Sequence, residues 1–161
     1  MQKSELITLF DYNYWANRKI FDAAAQATRT QLTEPRQLSW ESIFQTLTHI
    51  LSAEWIWRVR CQEGISPRAF LNPADFADMA ALLARWREEE AALRAFLEDL
   101  PAGEVTQIVQ YSNTRGDTFE KPLWQILIHV VNHGTQHRSE VALYLTDLGF
   151  SPGDIDFSRY F

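Results

Sequence analysis

Apolar positions divide the chain into four stretches of helical period. Between Ser4 and about Ala27, residues Ile7, Phe10, Tyr14, Phe21 and Ala24 fall at spacings of three, four, seven and three, on one helical face. The polar stretch Thr28 to Leu38, with Pro35, interrupts the pattern, and Ser39 is placed to cap a second helix. That helix carries the stripe Ile43, Leu47, Ile50, Leu51 and Trp57 to about Cys61, ahead of Gly64 and Pro67. After a loop with Pro67, Asn72 and Pro73, Asp75 is the expected cap of a third helix, whose apolar positions run from Met79 to Leu100 until Pro101 and Gly103 stop it. From Val105 to Tyr111 the period becomes two, and with the polar turn Ser112 to Asp117 and Thr118-Phe119 this predicts a small β-hairpin. Pro122 opens a fourth helix through Leu123, Ile126, Leu127, Val130, Val141 and Leu145 to Leu148, with Gly149 as the residue past its end.

Four helices of roughly 23 to 27 residues are each ~35–40 Å long, the matched lengths a bundle needs. The expected fold is all-α, a four-helix bundle forming one domain over residues 1–161. The connections, of about 10, 13 and 21 residues, exceed the ~2–8 of simple bundles, so at least one is expected to cross over.

Composition narrows the partners. With 21 acidic and 15 basic residues the formal charge is −6, which leaves no basic surplus for nucleic acid. The lone Cys61 forms no intramolecular disulfide and points to a reducing compartment; with acidic residues at Glu5 and Asp11 near the start, the expected location is the cytoplasm. No apolar run approaches the ~20 residues of a membrane span, and the longest, Leu123 to Val131, is broken by Gln125 and His129.

The four histidines carry the chemical signal. His129, His133 and His137 are successive i, i+4 positions on the fourth helix. Two imidazoles so spaced can reach one divalent ion, whereas i and i+8 are ~12 Å apart, so this helix supplies two ligands. A third must come from His49, which is flanked by Leu47, Ile50 and Leu51 on the second helix. Three histidines with an open position suit a catalytic metal; a closed structural site wants four protein ligands. Three neutral imidazoles accept zinc or nickel, and also iron or copper. His133-Gly134-Thr135-Gln136-His137 lacks the glutamate of a His-Glu-x-x-His protease, which argues against peptide hydrolysis.

His129-Val130-Val131-Asn132-His133-Gly134-Thr135-Gln136-His137-Arg138 resembles the H-x-x-N-H-x-x-x-H-R signature of the DinB/YfiT-like family. The likeness extends to Tyr14-Trp15-Ala16-Asn17, to Leu47-Thr48-His49-Ile50 with Ala53-Glu54 and Trp57, and to Leu148 through Asp154. It implies an up-down-down-up bundle with long crossover connections, commonly a homodimer, binding a divalent metal at His49, His133 and His137. His129 then becomes a supporting or packing residue, with Asn132 and Arg138 as polar supports. Some relatives are transferases or isomerases that use a low-molecular-weight thiol, so the expected function is a metal-dependent enzyme, of transferase, isomerase or hydrolase type, activating a thiol or water for a small-molecule substrate. The alternative is a dimeric metal-binding or stress-response protein without turnover.

The other conspicuous residues have structural readings. The six tryptophans, at helical spacing, belong to core or interface, with Trp15 and Trp57 the candidates for a site wall. Arg85 to Glu90 reads as a solvated helix face and Cys61 as inert, while Glu54 and Glu140 are candidates for a base or a supporting partner that their i+5 and i+3 spacings from His49 and His137 do not make compelling.

Overall fold

A computed structural model describes residues 1–37, 39–101 and 103–161. Four long helices, α1 (Lys3–Ala24), α3 (Ile43–Gln62), α4 (Met79–Asp99) and α5 (Leu123–Asp147), enclose the core; a short α2 (Arg29–Thr33) and an antiparallel hairpin of β1 (Ile108–Ser112) and β2 (Thr118–Pro122) complete the elements used below. The expected all-α bundle with a small hairpin is the observed fold.

Helix directions follow from which ends meet. Leu6 and Phe10 pack in one cluster with Leu123, Ile126 and Leu127, while Ile20 and Phe21 pack in a second with Val141 and Leu145, so α1 and α5 run parallel. Arg94 pairs with Asp11 and the Trp86 ring lies 4.6 Å from Phe21, so α4 runs the other way. Glu54 with Trp86 and Arg58 with Glu89 make α3 parallel to α4, and therefore antiparallel to α5. The order is up-down-down-up. The α3–α4 connection is the crossover: α3 ends where α4 also ends, so residues 63–78 climb the length of the bundle. Ser52 Oγ fastens this strap by accepting from the Leu71 N–H at 2.9 Å.

Local boundaries differ from expectation in four places. The interruption after α1 contains α2, because Thr28 and Gln31 form a capping box and Leu32 is buried; Leu38, at the end of that stretch, lies outside the described residues. Ser42, not Ser39, caps α3 by accepting from Gln45 N–H at 3.2 Å, since the Ser39 hydroxyl donates to Glu140 instead. Asp78, not Asp75, caps α4 by accepting from Ala81 N–H at 2.9 Å; Asp75 sits in a 3₁₀ turn capped by Asn72. Pro122 closes β2 and precedes α5, where its missing N–H costs nothing. Gly149 at φ +88° takes the left-handed turn after α5.

Candidate metal centre

Because α3 and α5 are antiparallel neighbours, the N-terminal half of α3 lies against the middle of α5. This brings His49 of α3 against His133 and His137 of α5. One ring nitrogen from each lies within 4.8 Å of the others, and Nε2 of His49 is 3.0 Å from Nε2 of His133. Two nitrogens sharing one tetrahedral ion at ~2.0–2.1 Å are separated by ~3.3 Å, so the observed spacing is within a few tenths of an ångström of a shared-ligand arrangement.

The surroundings keep these lone pairs available. Burial, then the neighbouring His137, pushes His49 down to about 4. Burial, then His137 and His49, pushes His133 down to about 3. Both rings are therefore neutral at pH 7, the state a metal ligand requires. Among the described residues, Nδ1 of each is buried without a protein partner. His137 is the most buried of the three, and its Nδ1 lies 3.3 Å from Oε2 of Glu140, which fixes the ring and leaves Nε2 for the cluster. Glu140 is itself held by the Ser39 hydroxyl at 2.7 Å; although partial burial works the other way, the hydrogen bonds from Ser39 and His137 hold its carboxyl below the usual range. Such a donor set can hold a divalent ion.

The DinB family model matches residues 1–161. The chain belongs to the DinB family. It is similar to Protein DinB of Bacillus subtilis (strain 168), with 25% identity over 166 aligned positions that cover 94% of this chain and 91% of that protein.

In this DinB-family chain the remaining sequence candidates separate. His129 is exposed and stands outside the cluster: its ring packs against Trp57 at 5.5 Å and lies 5.7 Å from His133. Asn132 is exposed on another face of α5, in a groove with Leu9 and Tyr12, and does not support the histidines. Arg138 is fully buried and supports the helices rather than the rings, through Asn13, Asn17 and Thr135. Trp15 packs on Tyr12 and Tyr160, away from the centre, and Trp57 packs on His129.

The wall is made by residues the periodicity did not single out. Trp40 stacks on His49 with centroids 4.2 Å apart, and Phe70 of the crossover meets the same ring edge-on at 5.2 Å while remaining 45% exposed. Both lie in connections, where no helical stripe exists to mark them. Cys61 is remote and burial pushes its thiol up to about 12, so it stays protonated and unreactive.

Proposed function

We propose that this DinB-family protein is a metal-dependent enzyme whose divalent ion is held by His49, His133 and His137 and activates a low-molecular-weight thiol or a water molecule toward a small-molecule substrate. The observation that carries this reading is the convergence of three imidazole nitrogens within 4.8 Å of one another, two of them on rings kept neutral by burial. Zinc or nickel suits the set best; iron and copper are compatible with it.

When bound, the ion supplies Lewis acidity, which lowers the pKa of a thiol or water in its open position. The chain supplies the rest. Glu140 orients His137 and adds negative charge beside the centre, offsetting part of the ion's charge. Trp40 and Phe70 exclude water from one side and offer an apolar surface to the substrate's carbon skeleton. Among the described residues no fourth histidine, cysteine or carboxylate joins the cluster, which favours an open site over a closed structural one. A homodimer is part of the proposal: the mostly apolar groove between α1 and α5, with Leu9, Ile128, Ile155 and Phe157, is surface a second copy would cover.

Elemental analysis of protein purified without a histidine tag is expected to give one divalent ion per chain, and metal-loaded protein is expected to accelerate conjugation of thiols to monochlorobimane or hydrolysis of an activated ester. One ion per chain without rate enhancement over a broad panel would favour the non-catalytic, stress-related reading; no ion would overturn both. Light scattering at twice the 18.7 kDa chain mass supports the dimer, and the single mass opposes it.

A further inference from the structure

A cavity beside His129 plays no part in the metal centre. It measures about 280 Å³ and is lined by Trp57, Tyr111, Lys121, Gln125, Ile126 and His129. None of these residues is acidic, in a chain whose formal charge is −6. The register of the hairpin explains how a lysine comes to be there. Val109 pairs with Lys121 and Tyr111 with Phe119, and alternate residues of a strand share a face, so Lys121 stands on the side of the hairpin that carries buried Val109 and half-buried Tyr111. Lys121 itself is exposed and has no carboxylate partner among the described residues.

A second cation lies behind the aromatic wall. Trp57 and Tyr111 meet edge-on at 4.8 Å, and the Arg60 guanidinium lies 4.5 Å from the first ring and 5.2 Å from the second. Arg60 is buried, donates from Nη2 to the Ser112 carbonyl and leaves Nε without a partner; no carboxylate offsets its charge among the described residues. Buried unpaired charge is costly, so this corner favours an incoming anion. The cavity also points at the centre: Gln125, His129 and His133 follow at i+4 along α5, and the His129 ring that lines the cavity is 5.7 Å from His133.

We propose that this cavity binds a small organic carboxylate, with Lys121 and Gln125 taking the carboxylate, Trp57, Tyr111 and Ile126 holding its carbon skeleton, and its far end directed past His129 toward the histidine cluster. One accessible ammonium and one neutral amide match a single negative charge, and the aromatic walls match a flat or apolar skeleton. That the ligand is a substrate rests on the metal-dependent reading above; that the cavity binds a carboxylate does not.

Calorimetric titration of the full chain with 3-phenylpropionate and with its neutral amide tests it, using metal-free and zinc-loaded protein. The acid is expected to bind at least about tenfold more tightly than the amide, the ratio a charge-assisted hydrogen bond supplies. Lys121→Gln, a surface change that leaves the fold intact, is expected to reduce the acid to the affinity of the amide. His133→Ala is expected to leave acid binding within about twofold while removing the metal. No binding of the acid, equal binding of acid and amide, or an unaltered Lys121→Gln variant would overturn the proposal. Acid binding that disappears with His133→Ala or on chelation would place the carboxylate on the metal, overturning the cavity while leaving the metal centre standing. Acid binding of the expected pattern in a chain that takes up no metal would support the cavity and remove the enzyme reading alone.

Discussion

Arg138 of α5 and Glu54 of α3 are joined through the side-chain amides of Asn13 and Asn17, one turn apart on α1. Arg138 Nη1 donates to Oδ1 of both asparagines, and their Nδ2 groups donate to Glu54 Oε1 at 2.8 and 3.2 Å. Trp86 of α4 donates to the other carboxylate oxygen at 2.8 Å, so one buried network reaches all four long helices. His137 directly precedes Arg138, and His49 lies five residues before Glu54. The network therefore holds α3 and α5 in the register that brings their histidines together.

Gly134 makes room for that network. A Cβ there would lie 2.7 Å from Arg138 Nη1 and 3.0 Å from Asn13 Oδ1. In an exposed helix Gly→Ala gains about 1 kcal/mol. Here it displaces a buried cation from its hydrogen-bond partners, and a hydrogen bond to a charged group is worth about 1.5–3 kcal/mol. Gly134→Ala is expected to lose about 2–4 kcal/mol in urea unfolding; a gain in stability would show that the network yields easily.

Glu54 gives stability a pH signature. Burial pushes its carboxyl from 4.5 up to about 7, against the hydrogen bonds of Asn13 and Asn17. Between those values the folded state holds a proton that the unfolded state releases, so this group's contribution to stability falls as pH rises. Glu54→Gln removes the effect. Its stability relative to wild type is expected to improve steadily from pH 4.5 to 7, whatever its offset at pH 4.5. A flat difference across urea midpoints would mean that Glu54 titrates normally.

The histidines shift in the opposite sense. His49 and His133 are held down to about 4 and about 3, so on unfolding at pH 5 they take up protons that the fold excludes. Their contribution to metal-free stability is full above pH 6.5 and declines as pH falls below it. Protons also compete with metal at these two nitrogens only in more acid solution than for free imidazole. Measured by plasma emission after dialysis, metal is expected to remain stoichiometric at pH 6, to be lost in His49→Ala, His133→Ala and His137→Ala, and to be kept in His129→Ala. Loss in His129→Ala with retention in His137→Ala would move the centre one helical turn.

Phe70 covers the centre without filling the core. Phe70→Ala is expected to change stability by no more than about 0.5 kcal/mol, as exposed substitutions do. Stoichiometric metal is expected to remain, with faster removal by a coloured chelator in stopped flow. An unchanged rate would show that Phe70 does not limit access.

Much of this protein was determined by the sequence alone. Four amphipathic stretches, a change of period to two at Val105 to Tyr111 and a glycine after Leu148 are local signals, and they specify four long helices and a hairpin. The family motif on His129 to Arg138 is equally local. Thr28-x-x-Gln31 is a capping box legible in the sequence, although it lies in a polar stretch that also carries Pro35. The caps were ambiguous for a different reason. Ser39 and Ser42, like Asp75 and Asp78, are pairs of good caps one turn apart, and for the serines a tertiary partner decides, since Glu140 engages Ser39. The i+4 series left two equivalent pairs on one stripe, and only the packing of α3 on α5 selects which pair meets His49. Trp40 and Phe70 stand nine and 21 positions from His49 in connections without periodicity, and Lys121 reaches its cavity through a strand register. Contacts between residues remote in sequence depend on helix direction, crossover path and register, which no short window of residues contains.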